Sequence, residues 1–263
     1  MNQLKDIELF LLDMDGTIYL GDSLINGAND FFQKLNRNDK FFFLFTNNSS
    51  KSPIDYKTKL EKLGINVPLQ KIITSGMVTA DYISSQKKNA VVYLLGTPSL
   101  ERQFAESGLK VVQNKKRNID FVVLGFDTTL NYKKLWDAHD LILDGVNYIA
   151  TNPDKVCPLS EGKTMPDCGS MIKLLETSTG KRPLVIGKPN IKMIEFAIKN
   201  TNISKDKIAL VGDRLYTDIK TANNAGITSI LVLSGETNRK DLKNNSHSPD
   251  YTFDDIGELL KEI

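Results

Sequence analysis

The sequence predicts an α/β fold in which a parallel-sheet core is interrupted by an inserted α/β domain. Short apolar runs alternate with helical patterns almost to the end of the chain, and this alternation is typical of βαβ units. The runs are apolar throughout, as expected of strands that are buried on both faces. Four of them end abruptly in polar groups, and in open α/β sheets ligands bind beyond the carboxyl ends of the strands.

The first half of the core begins with a strand at residues 9–12. Apolar residues at helical spacing predict a helix over 28–35, and the aromatic run at 41–45 predicts the next strand. A second helix is expected over 53–63, because this segment begins with a proline and is followed by a glycine.

The stretch between Asn48 and Lys188 is far longer than one crossover connection needs. It contains enough predicted elements for a core of its own, so we expect core parts at 1–79 and 184–263 and an inserted domain at 80–183. Strands in the insertion are expected at 90–95, 121–124 and 148–151, and helices at 100–107 and 132–143.

The second core part is expected to resume the alternation. Strands are predicted at 184–187, 208–211 and 229–233, and helices at 191–199 and 217–224, the latter closed by Gly226. We further expect the strands at 9–12, 41–45, 184–187 and 208–211 to be parallel neighbours in one sheet.

The bulk composition excludes several classes of protein. The 263 residues include 34 basic and 32 acidic side chains, and this near balance argues against a nucleic acid polymer or an acidic membrane as partner. Cys157 and Cys168 are the only cysteines, too few for a disulfide framework or a tetrahedral zinc site. No apolar segment approaches the length of about 18 residues that a membrane helix needs, and no secretory signal is recognisable. We therefore predict a cytoplasmic protein.

Asp13 and Asp15 flank one residue at the end of the first strand, and Gly16 lets the chain turn directly afterwards. Both carboxylates can therefore approach one ligand, one to attack phosphorus and the other to transfer protons. An ordinary Asp-Gly turn shows the same short motif, so this motif alone leaves both interpretations open.

Polar groups at three further strand ends favour the catalytic interpretation. Thr46 and Asn47 supply neutral hydrogen-bond donors, and Lys188 can offset charge between a carboxylate and a phosphate. Asp213 and Asp218 add hard oxygen ligands of the kind that Mg²⁺ requires. Each group alone could belong to a turn or a helix cap, but four strand ends that carry them together indicate a site for phosphoryl transfer.

In this order the motifs resemble those of the haloacid dehalogenase (HAD) superfamily of phosphatases, over essentially the whole chain. The resemblance implies a Rossmann-like core formed by the two outer parts of the sequence. The matching segments are Asp-Met-Asp-Gly-Thr at 13–17, Thr-Asn-Asn at 46–48, Gly-Lys-Pro at 187–189 and Gly-Asp-Arg-Leu-Tyr-Thr-Asp at 212–218.

The position of the insertion resembles the NagD-like and 4-nitrophenylphosphatase branch, which carries a large α/β cap of the C2 type there. Further matches lie at 124–127 and 150–154, and they imply substrate-binding roles for Asn152 and Asp154. Asp167 departs from the pattern, since many relatives have a glycine after this proline. The departure lies in the expected cap, so it bears on substrate choice rather than on the chemistry.

The resemblance also implies roles for the core residues. Asp13 would form an aspartyl-phosphate, and Asp15 would protonate the leaving alkoxide and then activate water. Thr46 and Lys188 would hold the transferring group and are counted as catalytic, and Asn47 and Asn48 would join them in binding the substrate. Mg²⁺ would be bound by the Asp13 carboxylate, the Asp15 backbone carbonyl, Asp213 and, in support, Asp218.

Two other classes of function use some of the same groups. A phosphorylatable receiver-like signalling protein lacks a cap and an acid/base group such as Asp15. A non-catalytic sugar-phosphate binding protein would be expected to have lost Asp13 or Asp15, and both are present. We therefore predict a Mg²⁺-dependent phosphatase, monomeric or homodimeric, for small phosphorylated metabolites such as sugar phosphates or nucleoside monophosphates.

Overall fold

The computed structural model describes residues 4–115, 118–159, 163–244 and 247–263. The chain divides into two units. Unit 1 comprises Met1–Thr46, Tyr56–Ile73 and Lys188–Ile263, and unit 2 comprises Asn47–Asp55 and Thr74–Gly187. The domain borders expected from the sequence, at 80 and 183, lie inside unit 2, and the division into core and cap stays a prediction.

The described elements, in chain order, are fifteen strands and nine α-helices. The strands are β1 (Leu9–Leu12), β2 (Tyr19–Leu20), β3 (Ser23–Leu24), β4 (Phe41–Thr46), β5 (Ile72–Thr74), β6 (Val91–Leu95), β7 (Lys110–Val112), β8 (Phe121–Leu124), β9 (Asn147–Ala150), β10 (Val156–Pro158), β11 (Thr164–Pro166), β12 (Leu184–Val185), β13 (Ile208–Gly212), β14 (Thr228–Val232) and β15 (Tyr251–Phe253). The helices are α1 (Ala28–Arg37), α2 (Pro53–Lys62), α3 (Ser75–Gln86), α4 (Pro98–Glu106), α5 (Tyr132–Leu143), α6 (Cys168–Thr179), α7 (Lys192–Ile198), α8 (Lys220–Ala225) and α9 (Ile256–Leu259).

Unit 1 is built on a six-stranded sheet in the order β15, β14, β13, β1, β4, β5. Strand β1 lies between β13 and β4 and is parallel to both, with Leu12 opposite Val211 on one side and Leu44 on the other. The carboxyl ends of these three strands therefore meet at one edge of the sheet, where ligands bind in open α/β folds.

Helix α1 covers the sheet of unit 1 with an apolar face. Phe31, Phe32 and Leu35 are buried, at the spacing that places them on one side of a helix. The ring of Phe31 meets that of Phe10 from β1 edge to face, with centroids 5.8 Å apart. Burial of these aromatic side chains fixes β1, and with it the segment that follows.

Unit 2 is built on a separate five-stranded sheet in the order β12, β9, β8, β6, β7, with parallel neighbours throughout. Helices α5 and α6 bury Leu141, Ile172 and Leu175 in its core. A short antiparallel hairpin, β10 with β11, precedes α6.

Most of the predicted elements are confirmed, but the run at 184–187 is not a neighbour of β1. Only Leu184 and Val185 form a strand, and this strand, β12, pairs with β9 in unit 2. The rest of the run follows β9 as well, since the amides of Ile186 and Gly187 donate to the carbonyls of Ala150 and Thr151. An apolar run predicts a buried strand but carries no information on which sheet it joins.

Three of the described helices, α3, α6 and α9, are absent from the sequence-based prediction, and the helix expected at 217–224 begins earlier. Its first turn is a π-helix over Leu215–Ile219, which continues into α8. None of the helices in the described part of the chain combines the length and the apolar character needed to cross a lipid bilayer.

Candidate active site

Asp13 follows the last residue of β1, and its amide donates to the carbonyl of Val211, 2.9 Å away. Gly16 then turns the chain with φ of 90°, a conformation that a residue with a side chain rarely adopts. A Cβ at Gly16 would also lie 2.5 Å from an Asp213 carboxylate oxygen. Position 16 therefore requires glycine for two reasons: the backbone conformation of the turn and the close approach of the Asp213 carboxylate.

Lys188 lies between two carboxylates of unit 1. Its ammonium nitrogen is 2.5 Å from Oδ1 of Asp13, 2.5 Å from Oδ1 of Asp218 and 3.2 Å from the carbonyl oxygen of Phe45. The lysine is 2% exposed. Although burial opposes its charge, Asp13 and Asp218 raise the pKa of Lys188 above its usual range. The lysine is thus a fixed positive charge beside Asp13.

Asp213 and Asp218 complete an acidic cluster with Asp13. One carboxylate oxygen from each lies within 4.8 Å of the others. Asp218 accepts a hydrogen bond from the Arg214 amide at 3.1 Å, and Asp213 accepts one from the Glu236 amide at 2.6 Å. The three carboxylates are held by backbone donors and Lys188 at the carboxyl edge of the sheet.

The cluster has the chemistry of a divalent cation site. Burial, with Asp218 adding to it, raises the pKa of Asp213 to about 7, and burial also raises the pKa of Asp13 well above its usual range despite Lys188. The other oxygen of Asp213, Oδ1, is buried and accepts no hydrogen bond from the described residues. A buried, orphaned carboxylate oxygen among like charges fits a hard cation such as Mg²⁺.

Asp15 has two partners that the sequence analysis did not identify. The hydroxyl of Tyr19 donates to Oδ2 of Asp15 at 3.2 Å, and the ammonium of Lys59 lies 3.9 Å from Oδ1. Burial and Asp15 raise the pKa of Tyr19 well above its usual range, so the hydroxyl keeps the proton that it donates. The spacing of four residues between Asp15 and Tyr19 could have suggested the contact; nothing in the sequence indicates Lys59.

The second motif is divided between the two units. Thr46 ends β4 in unit 1 and is buried, whereas Asn47 and Asn48 belong to unit 2. The carbonyl of Asn47 accepts a hydrogen bond from the Ser75 hydroxyl at 2.5 Å. The side-chain oxygen of Asn48 accepts from the amide and hydroxyl of Ser50, at 3.0 and 2.7 Å, which closes a local turn.

The two residues predicted to bind substrate in the cap are buried in unit 2. The side-chain nitrogen of Asn152, Nδ2, donates to carboxylate oxygens of Asp167 at 3.1 Å and of Asp154 at 3.4 Å. The side-chain oxygen of Asn152 accepts a hydrogen bond from the Thr151 hydroxyl at 2.9 Å. Asp167, the residue that departs from the family pattern, is the N-cap of α6 and accepts from the amide of Cys168. This network positions the start of α6.

The geometry of unit 1 suits nucleophilic catalysis. Asp13 is a carboxylate with a fixed cation on one side and two acidic neighbours, and Asp15 follows two residues later with donors of its own. A nucleophile, an acid/base group and ligands for a hard cation are the parts required for transfer of a phosphoryl group through a covalent intermediate.

Two family models match the sequence. The model for haloacid dehalogenase-like hydrolases matches residues 10–110, and a model described as HAD-hydrolase-like matches residues 185–259. Together the two matches include the acidic cluster, with Asp13 in the first and Asp213 and Asp218 in the second.

The similarity extends over nearly the whole of this chain. An acid sugar phosphatase of Staphylococcus haemolyticus is 35% identical over 260 residues, which cover 99% of this chain and 98% of the relative. The solved structure of 4-nitrophenylphosphatase from Thermotoga maritima is 46% identical, with a TM-score of 0.94 and 99% of each chain covered. A glycerol phosphate phosphatase from Mycobacterium tuberculosis, in complex with magnesium, is 31% identical with a TM-score of 0.90, covering 98% of this chain and 78% of that chain.

Proposed function

The chain belongs to the haloacid dehalogenase-like hydrolases, and we propose on that basis that it is a Mg²⁺-dependent phosphatase of small phosphorylated metabolites. The observation that carries the proposal is the position of Asp13 at the end of β1, paired with Lys188 within an acidic cluster. Relatives named acid sugar phosphatase and glycerol phosphate phosphatase favour phosphorylated sugars and polyols as the substrate class.

In the first proposed step, a carboxylate oxygen of Asp13 attacks phosphorus and the ester P–O bond breaks. The leaving oxygen takes a proton from Asp15, and an aspartyl-phosphate remains. Lys188, 2.5 Å from Asp13, offsets the repulsion between the carboxylate and the phosphate, and Thr46 is proposed to hold the phosphoryl oxygens.

In the second step, Asp15 accepts a proton from water, and the water oxygen attacks phosphorus. The bond between phosphorus and Asp13 breaks, inorganic phosphate leaves, and the carboxylate of Asp13 is restored while Asp15 is protonated again. Each turnover consumes one ester and one water and returns the enzyme to its starting state.

Mg²⁺ is proposed to bind Asp13, Asp213 and the backbone carbonyl of Asp15, with Asp218 in support. When bound, the cation neutralises the charge that collects on the phosphoryl oxygens. The proposed cytoplasmic location and the binding roles of Asn47, Asn48, Asn152 and Asp154 rest on the sequence and family resemblance.

Replacement of Asp13 by Asn tests the proposal directly. The variant keeps the shape of the side chain but removes the attacking charge, so kcat with 4-nitrophenyl phosphate should fall below about a hundredth of the wild-type value. Asp30 is an exposed residue of α1, and Asp30→Asn is the matched control that should retain full activity.

Three results would contradict the proposed function. An Asp13→Asn variant with more than about a hundredth of wild-type kcat would exclude Asp13 as the nucleophile. Wild-type protein that releases no phosphate from any ester of a panel of sugar, polyol, nucleotide and aryl phosphates would exclude a phosphatase. Incorporation of one phosphoryl group per chain without turnover would indicate a receiver.

A further inference from the structure

The carboxyl group of Asp15 is held from two sides. Oδ2 accepts the hydrogen bond of Tyr19, and Oδ1 faces the ammonium of Lys59. The side chain of Asp15 is 32% exposed and that of Lys59 only 20%, while Tyr19 is fully buried. The partly exposed carboxylate of Asp15 thus contacts the buried hydroxyl of Tyr19 and the largely buried ammonium of Lys59.

The turn after β1 fixes Tyr19 beside Asp15. The carbonyl of Met14 accepts from the amides of Thr17, Ile18 and Tyr19, and the amide of Gly16 donates to the carbonyl of Tyr19 at 2.8 Å. These bonds close the segment on itself and leave the hydroxyl of Tyr19 little freedom to move away from the carboxylate.

Helix α2 brings Lys59 to the same place. Its neighbours Tyr56 and Leu60 are buried, so Lys59 lies at the margin of the buried face. Its ammonium is 3.7 Å from the centroid of the Tyr19 ring, a distance at which a cation is attracted to an aromatic face. Lys57, by contrast, has a 39% exposed side chain and pairs with Glu61 on the same helix.

We propose that Tyr19 and Lys59 are positioning residues that hold the Asp15 carboxyl group for proton transfer to the leaving oxygen. The inference rests on the proposed function, because it needs Asp15 as the acid. The hydroxyl of Tyr19 fixes one carboxyl oxygen, and Lys59 packs over the tyrosine ring and confines the other. Small displacements of a catalytic group have large effects on rate, so loss of either contact should weaken the acid.

The chemistry of the leaving group provides a readout that a merely structural role would not alter. A sugar alkoxide is a strong base and needs a proton as it leaves, whereas 4-nitrophenolate is a stable anion that leaves without one. The ratio kcat/KM reports the steps up to the first irreversible one, here departure of the leaving group. Poor positioning of Asp15 should therefore lower kcat/KM for alkyl esters selectively.

The experiment measures kcat/KM of Tyr19→Phe and Lys59→Met with 4-nitrophenyl phosphate and with the best sugar phosphate of the panel. We expect a loss of about tenfold or more with the sugar phosphate and of less than about twofold with the aryl ester. Lys59→Arg, which keeps a cation near Asp15 and Tyr19, should restore part of the loss.

Two control variants match the test variants. Tyr93→Phe removes a buried hydroxyl that lies 3.3 Å from a carboxylate of unit 2, and Lys57→Met removes a partly exposed cation from α2. Both should leave the ratio of the two activities unchanged.

Equal losses with the two esters, or no loss with either, would overturn the proposal. If Tyr19→Phe does not fold, Lys59→Met decides by the same criterion. Wild-type protein that hydrolyses neither ester would instead refute the proposed function, so the two failures are distinguishable.

Discussion

At the scale of single residues, the centre of unit 1 depends on the balance of charge around Lys188. The lysine is almost fully buried and is paired with Asp13 and Asp218. Removal of one partner from a buried pair leaves an uncompensated charge, which is costly in a medium of low polarity. The structure thus explains why these charged groups occur together, since each makes burial of the others tolerable.

The acidic cluster leads to a prediction about metal binding. Chelator should abolish phosphatase activity and Mg²⁺ should restore it, whereas excess Ca²⁺ should inhibit, because its larger coordination shell misplaces the carboxylates. Independently of activity, Mg²⁺ at a hundredfold excess over Kd should raise the free energy of unfolding by about 2.7 kcal/mol.

Thermal unfolding with and without Mg²⁺ measures this stabilisation. The Asp213→Asn variant should lose most of it, because the substitution removes the negative charge of the carboxylate whose Oδ1 accepts no hydrogen bond from the described residues. Asp30→Asn should keep it. Full activity in chelator, or equal stabilisation of Asp213→Asn and wild type, would argue against the site.

Three of the four acidic residues expected to meet, Asp13, Asp213 and Asp218, form one cluster in the described part of the chain, whereas the carboxylate of Asp15 contacts Tyr19 and Lys59 instead. Asp13, Asp213 and Asp218 follow or lie just beyond parallel strands, and the geometry of such sheets brings strand ends together. The sequence was not sufficient to predict Lys59, whose contact with Asp15 depends on how α2 packs against the turn after β1. Contacts set by sheet topology are predictable, and those set by the packing of a helix are not.

At the scale of elements, α8 ends as its sequence predicts. Gly226 has φ of 68° and closes the helix in the left-handed conformation. A Cβ there would meet no atom within 4 Å, so the cost of a side chain at this position is conformational and not steric.

Gly226→Ala should therefore lower the free energy of unfolding by about 1 kcal/mol. Gly226→Asn is the matched variant, and it should cost less because asparagine tolerates the left-handed region better than alanine. Urea denaturation measures both. Identical stabilities of the three proteins would show that the helix end rearranges instead of retaining its left-handed residue.

The sheet that strand β12 joins could not be predicted from the sequence. The run at 184–187 has the composition of a core strand, and Lys188 does reach Asp13, yet the run pairs with β9. The hydrogen-bond partner of a strand is decided by the competition between available sheet edges, which no local pattern records. Helix α3 is not predicted from the sequence for a different reason: its many small and polar residues give the segment little apolar periodicity.

At the scale of the whole molecule, the division into two units separates the acidic cluster from the segment around residues 152–158. All members of the cluster lie in unit 1, and residues 152–158 lie in unit 2. We expect the chemistry to depend on unit 1 and the choice among esters to depend on unit 2.

Cys157→Ala is the variant that tests this expectation, because Cys157 is only half buried. Asp154→Ala is less suitable, since Asp154 is buried and its loss also alters the hydrogen bonds around Asn152. The variant should redistribute kcat/KM among the esters of the panel and leave the dependence on Mg²⁺ intact. Lys173→Ala, an exposed residue of α6, should leave the profile as it is. A uniform loss would assign Cys157 to folding, and an unchanged profile would place selectivity elsewhere in unit 2.

The pairing of β1 with β13 joins Leu9 to Ile208, and this long separation bears on how the protein is made. During synthesis the residues of unit 2, up to Gly187, leave the ribosome before Asp213 and Asp218. Contacts between distant segments form late because closing long loops is entropically unfavourable. We therefore expect a nascent chain to complete unit 2 first, at a stage when Asp213 and Asp218, the acidic partners of the proposed nucleophile Asp13, have not yet been translated.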